Sequence, residues 1–474
     1  MKCLRFQLTS ALLTALGIAF LVWKASSFSG GFFVYTLDDP YIHLAVAESI
    51  LDGGYGVNAN EFASPSSSIL YPFLLSGLLA IGLGTWGPLL LSGAAMIWSV
   101  WLLSGLAWRQ GIGAAQVQSQ VIAYAMLPLG ILAINGLALP LTGMDHPLHI
   151  LAVAMTLVGL ERLGIGPWHS ALLMAGLVLG PFIRFEGLAL TAAGIAVLLW
   201  YKHYVTSAVV GLIVVAGSAV YVLAMMAVGL PPVPSSVMVK SHVPSILTEQ
   251  DTFSGFAGLI NQTLDAIRNP RGMLLLAASV GLLIGISFRT DQDKTRIAVA
   301  SVAVVALAGH IAAGRYGWFS RYEIYAVALA LGALAIVWGP LLRSSERAWA
   351  VWLGVMIALT GTAVPYARTT LLTPAASHGI FLQQYQMHRF ATDFFPFPVA
   401  VNDLGYVSFD NEQHVLDLWG LGSDEARVRR AQPGFGADDL RALARPNGTV
   451  YAMIYDTWLG DAVPAEWCRI GELQ

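Results

Sequence analysis

The residues best suited to chemistry in this chain are two adjacent aspartates, Asp38 and Asp39, in the stretch TLDDPYIHLAVAESILDGG from Thr36 to Gly54. Four other short stretches carry ionisable side chains between apolar segments. They are Asp145 and His146 in TGMDHPLH, Arg184 and Glu186 in PFIRFEGL, Lys240 and His242 in SSVMVKSH, and Arg315, Arg321 and Tyr322 in GRYGWFSRY. A positioned carboxylate can take the proton from a hydroxyl nucleophile. Lysine and arginine can neutralise a departing phosphate. Carboxylates and cations at one membrane border therefore suit a transfer reaction whose leaving group is a phosphate, and ionisable residues at membrane depth generally mark function. Each has a plainer reading when taken singly. Asp39 caps a helix, Arg184 and Glu186 form an internal ion pair, and Lys240 is a snorkelling anchor.

The elements that must position these residues are membrane helices. Of 474 residues, 56% are hydrophobic and 11% charged, against about 25% charged in soluble domains. The mean hydropathy is +0.67, and no charged residue occurs between Arg109 and Asp145. A helix needs roughly 20 apolar residues to cross a bilayer. Lysine and arginine mark cytoplasmic loops, and one topology accommodates the strong basic loops. Lys2 and Arg5 place the N-terminus inside, and the first span runs from about 8 to 30. Spans at about 87–108 and 117–138 follow, then one to Glu161 and Arg162 inside, one out to RFEG, one back to WYKHY, one out to GLPPVPSSVMVKSH, and four at about 272–288, 297–314, 322–342 and 349–366. The expected fold is an all-α polytopic membrane protein of about eleven transmembrane helices over residues 1–367. The segment 68–84 is short and glycine-punctuated, and reads as interfacial or re-entrant. No A-x-A-like cleavage site follows the first apolar run, so that run is expected to remain as a span.

From about residue 368 the composition changes. Short β-like runs at Val399–Val401 and His414–Leu418 alternate with polar turns, and ADDLRALARPNGTVYAMIYD reads as a helix followed by a strand. Residues 368–474 are expected to form a small extracytoplasmic α/β domain. Cys3 and Cys468 fall on opposite membrane faces in this topology and are not expected to pair. No Cys/His cluster of metal-site type is present in the sequence. Neither a cofactor nor a nucleic-acid partner is expected.

Around the aspartate pair the local signals are those of a helix start. Aspartate is a favoured N-cap, proline a favoured first helical residue, and Gly53-Gly54 a stop. Ile42, Ala45, Val46, Ile50 and Leu51 form one apolar stripe with His43, Glu48 and Asp52 off it, as in a helix lying in the interface plane. Pro40 directly follows Asp39, so Asp39 is expected to be the cap. Asp38 is then the expected general base.

The chain resembles the polytopic C-type glycosyltransferase superfamily, which uses polyprenyl-phosphate-linked sugars. The resemblance rests on DDPYI after the first span, GMDHP, RFEG, PPVPSSVMVKS, SRY before a late span, and VAVNDLGYVSFDNEQHVLDLWGL in the tail. It runs nearly end to end through the order and spacing of these motifs, and is strongest to the bacterial arabinofuranosyltransferase-like branch. It implies inverting transfer of a sugar, arabinofuranose in that branch, on the periplasmic face of the bacterial inner membrane. The acceptor would be an envelope glycan, a lipid or a protein. It implies a catalytic aspartate at Asp38 or Asp39, without separating the two, and a second acid at Asp145, where relatives often carry glutamate. Lys240, Arg321 and Arg315 would meet the donor phosphate, and His43, His146, Arg184, Glu186 and Tyr322 would line the substrate site. No metal is needed in branches that use lipid-monophosphate sugars.

A transporter or flippase of lipid-linked sugars is the alternative from another class. Transporters set ionisable groups near the midplane on broken helices of repeated halves, whereas here the acids sit at span ends and no repeat is visible. A purely structural or assembly protein would leave the loop carboxylates without a role.

Overall fold

The computed structural model describes residues 1–59, 61–112, 117–240, 252–287, 293–344 and 348–473. It is predominantly helical with one small sheet near the C-terminus. Five of the described helices are long and apolar enough to cross a membrane: Lys2–Phe28, Gly84–Gly111, Tyr204–Ala227, Pro270–Ser287 and Lys294–Ala313. The expected count of eleven is therefore not reached by length and apolarity. Other expected spans fall on shorter apolar helices, among them Gln120–Ala133, His146–Glu161, Pro167–Ile183, Gly187–Trp200 and Ile324–Pro340. Glycine, proline and ionisable residues interrupt the apolar runs there. At 1.5 Å per residue, a 14-residue helix such as Gly187–Trp200 covers about 21 Å of an apolar layer about 30 Å thick. Tyr71–Ala80, with ten residues, covers about half that layer. The helix Tyr204–Ala227 exposes Val205, Leu212, Val215, Val220 and Leu223, a surface that suits lipid and not water.

The chain divides into two compact units. One comprises residues 1–23, 89–218 and 249–373, the other residues 24–88, 219–248 and 374–474. The 367/368 boundary expected from composition falls inside the 35-residue helix Ala348–Leu382, and the tail shares its unit with residues 24–88 and 219–248.

In the first unit, His146–Glu161 and Pro167–Ile183 pack along their length. Two glycines permit the approach. A Cβ on Gly159 would lie 2.5 Å from Leu173 Cβ, and one on Gly176 would lie 2.5 Å from Thr156 Oγ1 and 2.6 Å from the Ala152 carbonyl. Small residues at such crossings let membrane helices pack closely. Gly187–Trp200, Lys294–Ala313 and Ile324–Ser344 complete the surrounding layer. Arg109 and Gln110 both donate to the buried Glu161, at 2.5 Å through Arg109 Nη2 and 2.6 Å through Gln110 Nε2. This satisfies an acid whose side chain is largely covered.

The second unit holds the sheet. Strands β1 (Val399–Val401), β2 (Val415–Asp417) and β3 (Tyr451–Met453) are parallel in the order β2-β1-β3. Parallel pairing requires crossovers. They carry helix Gly405–Ser408 between β1 and β2, and helices Asp424–Arg430 and Ala437–Ala444 between β2 and β3. The strands and the helix–strand order match the sequence expectation. Asn58 docks on β2 in the manner of a neighbouring strand: its Oδ1 accepts from Val415 N at 2.8 Å and its Nδ2 donates to Val415 O at 3.1 Å. At the end of β2, the Asp417 carboxylate gathers the turn by accepting from the backbone N–H groups of Trp419, Leu421 and Gly422.

Candidate functional site

The opening aspartates lie in the second unit. The helix there spans Asp39–Leu51, so Asp39 is its first residue and Asp38 stands at the cap position. This moves the expected start by one residue. The Asp38 side chain makes no cap bond to its own helix. It reaches instead to the start of Gly405–Ser408, where its two oxygens accept from Gly405 N at 2.5 Å and Tyr406 N at 2.7 Å. Orphan N–H groups at a helix start favour an anion, so the carboxylate caps a helix that lies 367 residues away in sequence. Gly405 is required for this approach, since a Cβ there would overlap the Asp38 carbonyl and carboxylate.

Asp403 lies near enough for its charge to act on Asp38. Asp403 Oδ2 accepts from Gln384 Nε2 at 2.8 Å and from the Tyr455 hydroxyl at 3.4 Å. Burial, followed by the charge of Asp403, pushes Asp38 well above the usual carboxylate range against the pull of the two backbone donors. Burial likewise raises Asp403, to which the charge of Asp39 adds. Asp39 itself is half-buried at the helix start.

The rest of this helix departs from the interfacial expectation. Pro40 through Ala47 are all buried, because Tyr71–Ala80 and Gly405–Ser408 cover it. His43 sits inside, edge-on to Tyr71 with ring centroids 5.2 Å apart. Tyr41 stacks on Tyr406 at 3.7 Å and accepts from Tyr35 N at 3.2 Å. Lys240 is the last residue of the helix Ser235–Lys240. That helix is pinned by Ser235, which bonds the Ser64 and Leu421 carbonyls through its Oγ at 2.9 and 2.5 Å. His242 lies outside the described residues.

Six expected site residues assemble within the first unit. Arg184 follows a helix that carries Pro181 in its last turn, and its own backbone is extended. Gly187 closes the turn by packing on Gly180 and Pro181, where a Cβ would lie 2.6 Å from the Gly180 carbonyl oxygen. The guanidinium then bridges two acids, through Nη1 to Asp145 Oδ1 at 3.2 Å and through Nη2 to Glu186 Oε1 at 2.9 Å. Asp145 is fully buried, and His146 Nδ1 lies 3.2 Å from the same oxygen. Arg184 and Arg321 both approach the Tyr322 ring, at 5.9 and 5.1 Å from its centroid. Arg321 is buried and donates to the Tyr322 hydroxyl at 3.2 Å, whereas Arg315 is exposed. The plainer reading of Arg184 and Glu186 as an internal ion pair describes their contacts, with Asp145 as a third member.

Several polar residues at these sites give no local sequence signal. Gln384 and Tyr455 hold Asp403, and all three lie in the tail without a motif of chemical type. Buried His149 stacks on Tyr325 at 4.0 Å, and the Tyr325 hydroxyl lies 3.1 Å from His310 Nδ1. A lone histidine in an apolar helix does not declare such a partner. Among the described residues, no group of three or more His, Cys, Asp or Glu side chains is arranged to hold a metal ion.

Comparison with known proteins bears on the second unit. No curated protein matches the chain. A family described as a domain of unknown function (DUF8728) matches residues 378–473, the segment that contains the sheet, Gln384, Asp403, Tyr455 and the helix start that Asp38 caps.

Proposed function

We propose that this protein is a membrane glycosyltransferase. It transfers a sugar, arabinofuranose by resemblance, from a polyprenyl-phosphate donor to an envelope glycan, lipid or protein acceptor. In this reading the helices form about eleven spans in a bacterial inner membrane, with the N-terminus cytoplasmic and the C-terminal domain periplasmic. The short apolar helices cross as parts of a bundle.

The observation that carries the reading is the differentiation of the neighbouring aspartates. Asp38 has both oxygens engaged by backbone N–H groups, which suits an anchor. Asp39 is half-buried, and its charge is felt by Asp403, which suits a base. This supports Asp39 over Asp38 for the proton-accepting role. The acceptor hydroxyl gives its proton to the Asp39 carboxylate as its oxygen attacks the anomeric carbon. The bond from that carbon to the phosphate oxygen breaks on the opposite face, and the lipid phosphate leaves with the electron pair, inverting the centre. Lys240, Arg315 and Arg321 remain the proposed cations for the donor phosphate, and Asp145 the proposed second acid. His43, buried against Tyr71, is better suited to packing than to substrate contact.

The test is transfer from a synthetic polyprenyl-phosphate pentose by purified protein in detergent. Loss of a general base typically lowers the rate about 10²–10⁴-fold. Asp39→Asn is expected to show that loss with normal folding. Wild-type activity in Asp39→Asn would remove it as base, and no transfer by the wild-type protein from any polyprenyl-phosphate sugar would overturn the reading.

A further inference from the structure

Within the first unit, a cavity of about 490 Å³ is lined by Arg271, Phe319, Ser320, Pro365, Arg368 and Thr369, with Val364 and Leu372 at its margin. The lining holds two guanidinium groups and two hydroxyls and no carboxylate. One wall is an unusual turn. After Gly317, the residues Trp318, Phe319 and Ser320 have φ of 44°, 61° and 57°, where L-residues are disfavoured and occur singly. Such a run persists only where its surroundings over-determine it. Here Glu323 Oε2 accepts from Gly317 N at 2.9 Å, Asn135 Nδ2 donates to Ser320 O at 3.2 Å, and Arg271 Nη2 donates to Ser320 Oγ at 2.8 Å. Ser320 Oγ also lies 3.1 Å from Thr369 Oγ1.

Arg271 is partly committed, since its Nε pairs with Glu323 at 3.1 Å. Arg368 is exposed and has no acidic partner among the described residues. It lies twenty positions after Ala348, the start of its helix, which at 1.5 Å per residue is about 30 Å, one apolar thickness from that end. Arg271 is the second residue of a helix long enough to cross. With these two helices crossing as spans, both guanidiniums would stand at a bilayer border, where phosphate head groups lie. On the same face as Arg368, one turn to either side, Val364 and Leu372 are 61% and 50% exposed, and Trp318 at the turn is 64% exposed. Exposed aromatics are typical of the interface. A cation set between apolar side chains fits a phosphate that carries hydrocarbon chains better than a free ion.

We propose that this cavity binds the phosphate of an anionic membrane lipid, with Arg368 and Arg271 as the ligating cations and Ser320 and Thr369 as hydroxyl partners. The assignment is independent of the transfer reaction and of the orientation of the chain. The test is native mass spectrometry of the full-length protein titrated with phosphatidylglycerol, phosphatidylcholine or inorganic phosphate. The wild-type protein is expected to bind phosphatidylglycerol at least tenfold tighter than phosphatidylcholine, with inorganic phosphate weaker than the lipid. Removing a charge-assisted bidentate contact in Arg368→Gln is expected to lower phosphatidylglycerol binding about tenfold or more. Arg368→Lys is expected to recover part of it, and Arg445→Gln, at an exposed arginine of the second unit, to leave it unchanged. Equal binding of the two lipids, or wild-type binding by Arg368→Gln, would overturn the site. Inorganic phosphate binding as tightly as phosphatidylglycerol would overturn the lipid assignment.

Discussion

Replacing Asp38 and Asp403 separately by asparagine should have opposite consequences, although the two residues touch. Both Asp38 oxygens accept from backbone N–H groups, so the amide of Asp38→Asn must turn its NH₂ toward one of two buried donors. Leaving a buried donor unsatisfied costs about 1–3 kcal/mol. Asp38→Ala abandons both, for about 2–6 kcal/mol if the two add. Asp403→Asn meets no such conflict. Its oxygen can still accept from Gln384 and Tyr455, and the substitution removes a negative charge that acts on Asp38. The pH dependence follows from the direction of the shifts. Burial raises both carboxyls in the folded protein above the unfolded value, with the charge of Asp403 adding at Asp38 and that of Asp39 adding at Asp403; the unfolded value is about 3.9 for an aspartate. The folded state then binds more protons above that value, and stability falls as pH rises toward the folded pKa, at up to about 1.4 kcal/mol per pH unit for one proton. The wild-type protein should therefore be easier to unfold at pH 8 than at pH 5. Asp403→Asn should flatten that slope and be the more stable protein at pH 8, and Asp38→Asn should be weaker throughout. Pulse proteolysis of the full-length protein in detergent across a urea series, followed at the tail, reads all three. Wild-type resistance in Asp38→Asn, or an unchanged pH slope in Asp403→Asn, would refute the clasp.

Two further outcomes follow from the geometry. Burial raises Glu48 to about 7 even though Asp410 N donates to it at 3.0 Å. Its contribution is therefore greatest at acid pH and declines between about pH 4.5 and 7. Glu48→Gln keeps an acceptor for Asp410 and should remove that part of the slope, which urea unfolding at pH 5 and pH 8 would reveal; an unchanged slope would exclude Glu48 as a source. In the helical unit, Gly176→Ala places a methyl group against Thr156 and the Ala152 carbonyl and should lower stability by about 1–3 kcal/mol. Gly93→Ala meets nothing within 4 Å and should be neutral or slightly stabilising; thermal unfolding of the two variants in detergent compares them, and equal melting would refute the close-packing account.

What the sequence made legible is what local pattern controls. The apolar runs announce helices, the strands of the tail stand at Val399–Val401 and around Val415, and the ionisable residues of GMDHP, RFEG and SRY meet in one cluster. The interfacial reading of Asp39–Leu51 failed because a stripe count sees only the helix. Burial of His43 and its neighbours comes from helices Tyr71–Ala80 and Gly405–Ser408, which approach from distant sequence.

The roles of the two aspartates were illegible for the same reason, with sharper consequences. Cap preference is a rule about a residue and the helix that follows it. By that rule the aspartate next to Pro40 should cap and its neighbour should be available for chemistry. The chain uses the rule at a distance. Asp38 caps a helix of the tail, and the glycine that admits its carboxylate there is Gly405. Once that cap is made, the charge of a second, half-buried acid, Asp403, acts on Asp38 and adds to burial in raising it above the usual carboxylate range. Asp39 is then the aspartate we propose as the base. In the proposed reaction the choice between Asp38 and Asp39 would depend on where the tail packs, so a substitution at Gly405 probes it. Gly405→Ala leaves both aspartates in place but forces Asp38 from the helix start. It should reproduce the instability of Asp38→Asn while leaving the side chain of Asp39 chemically intact.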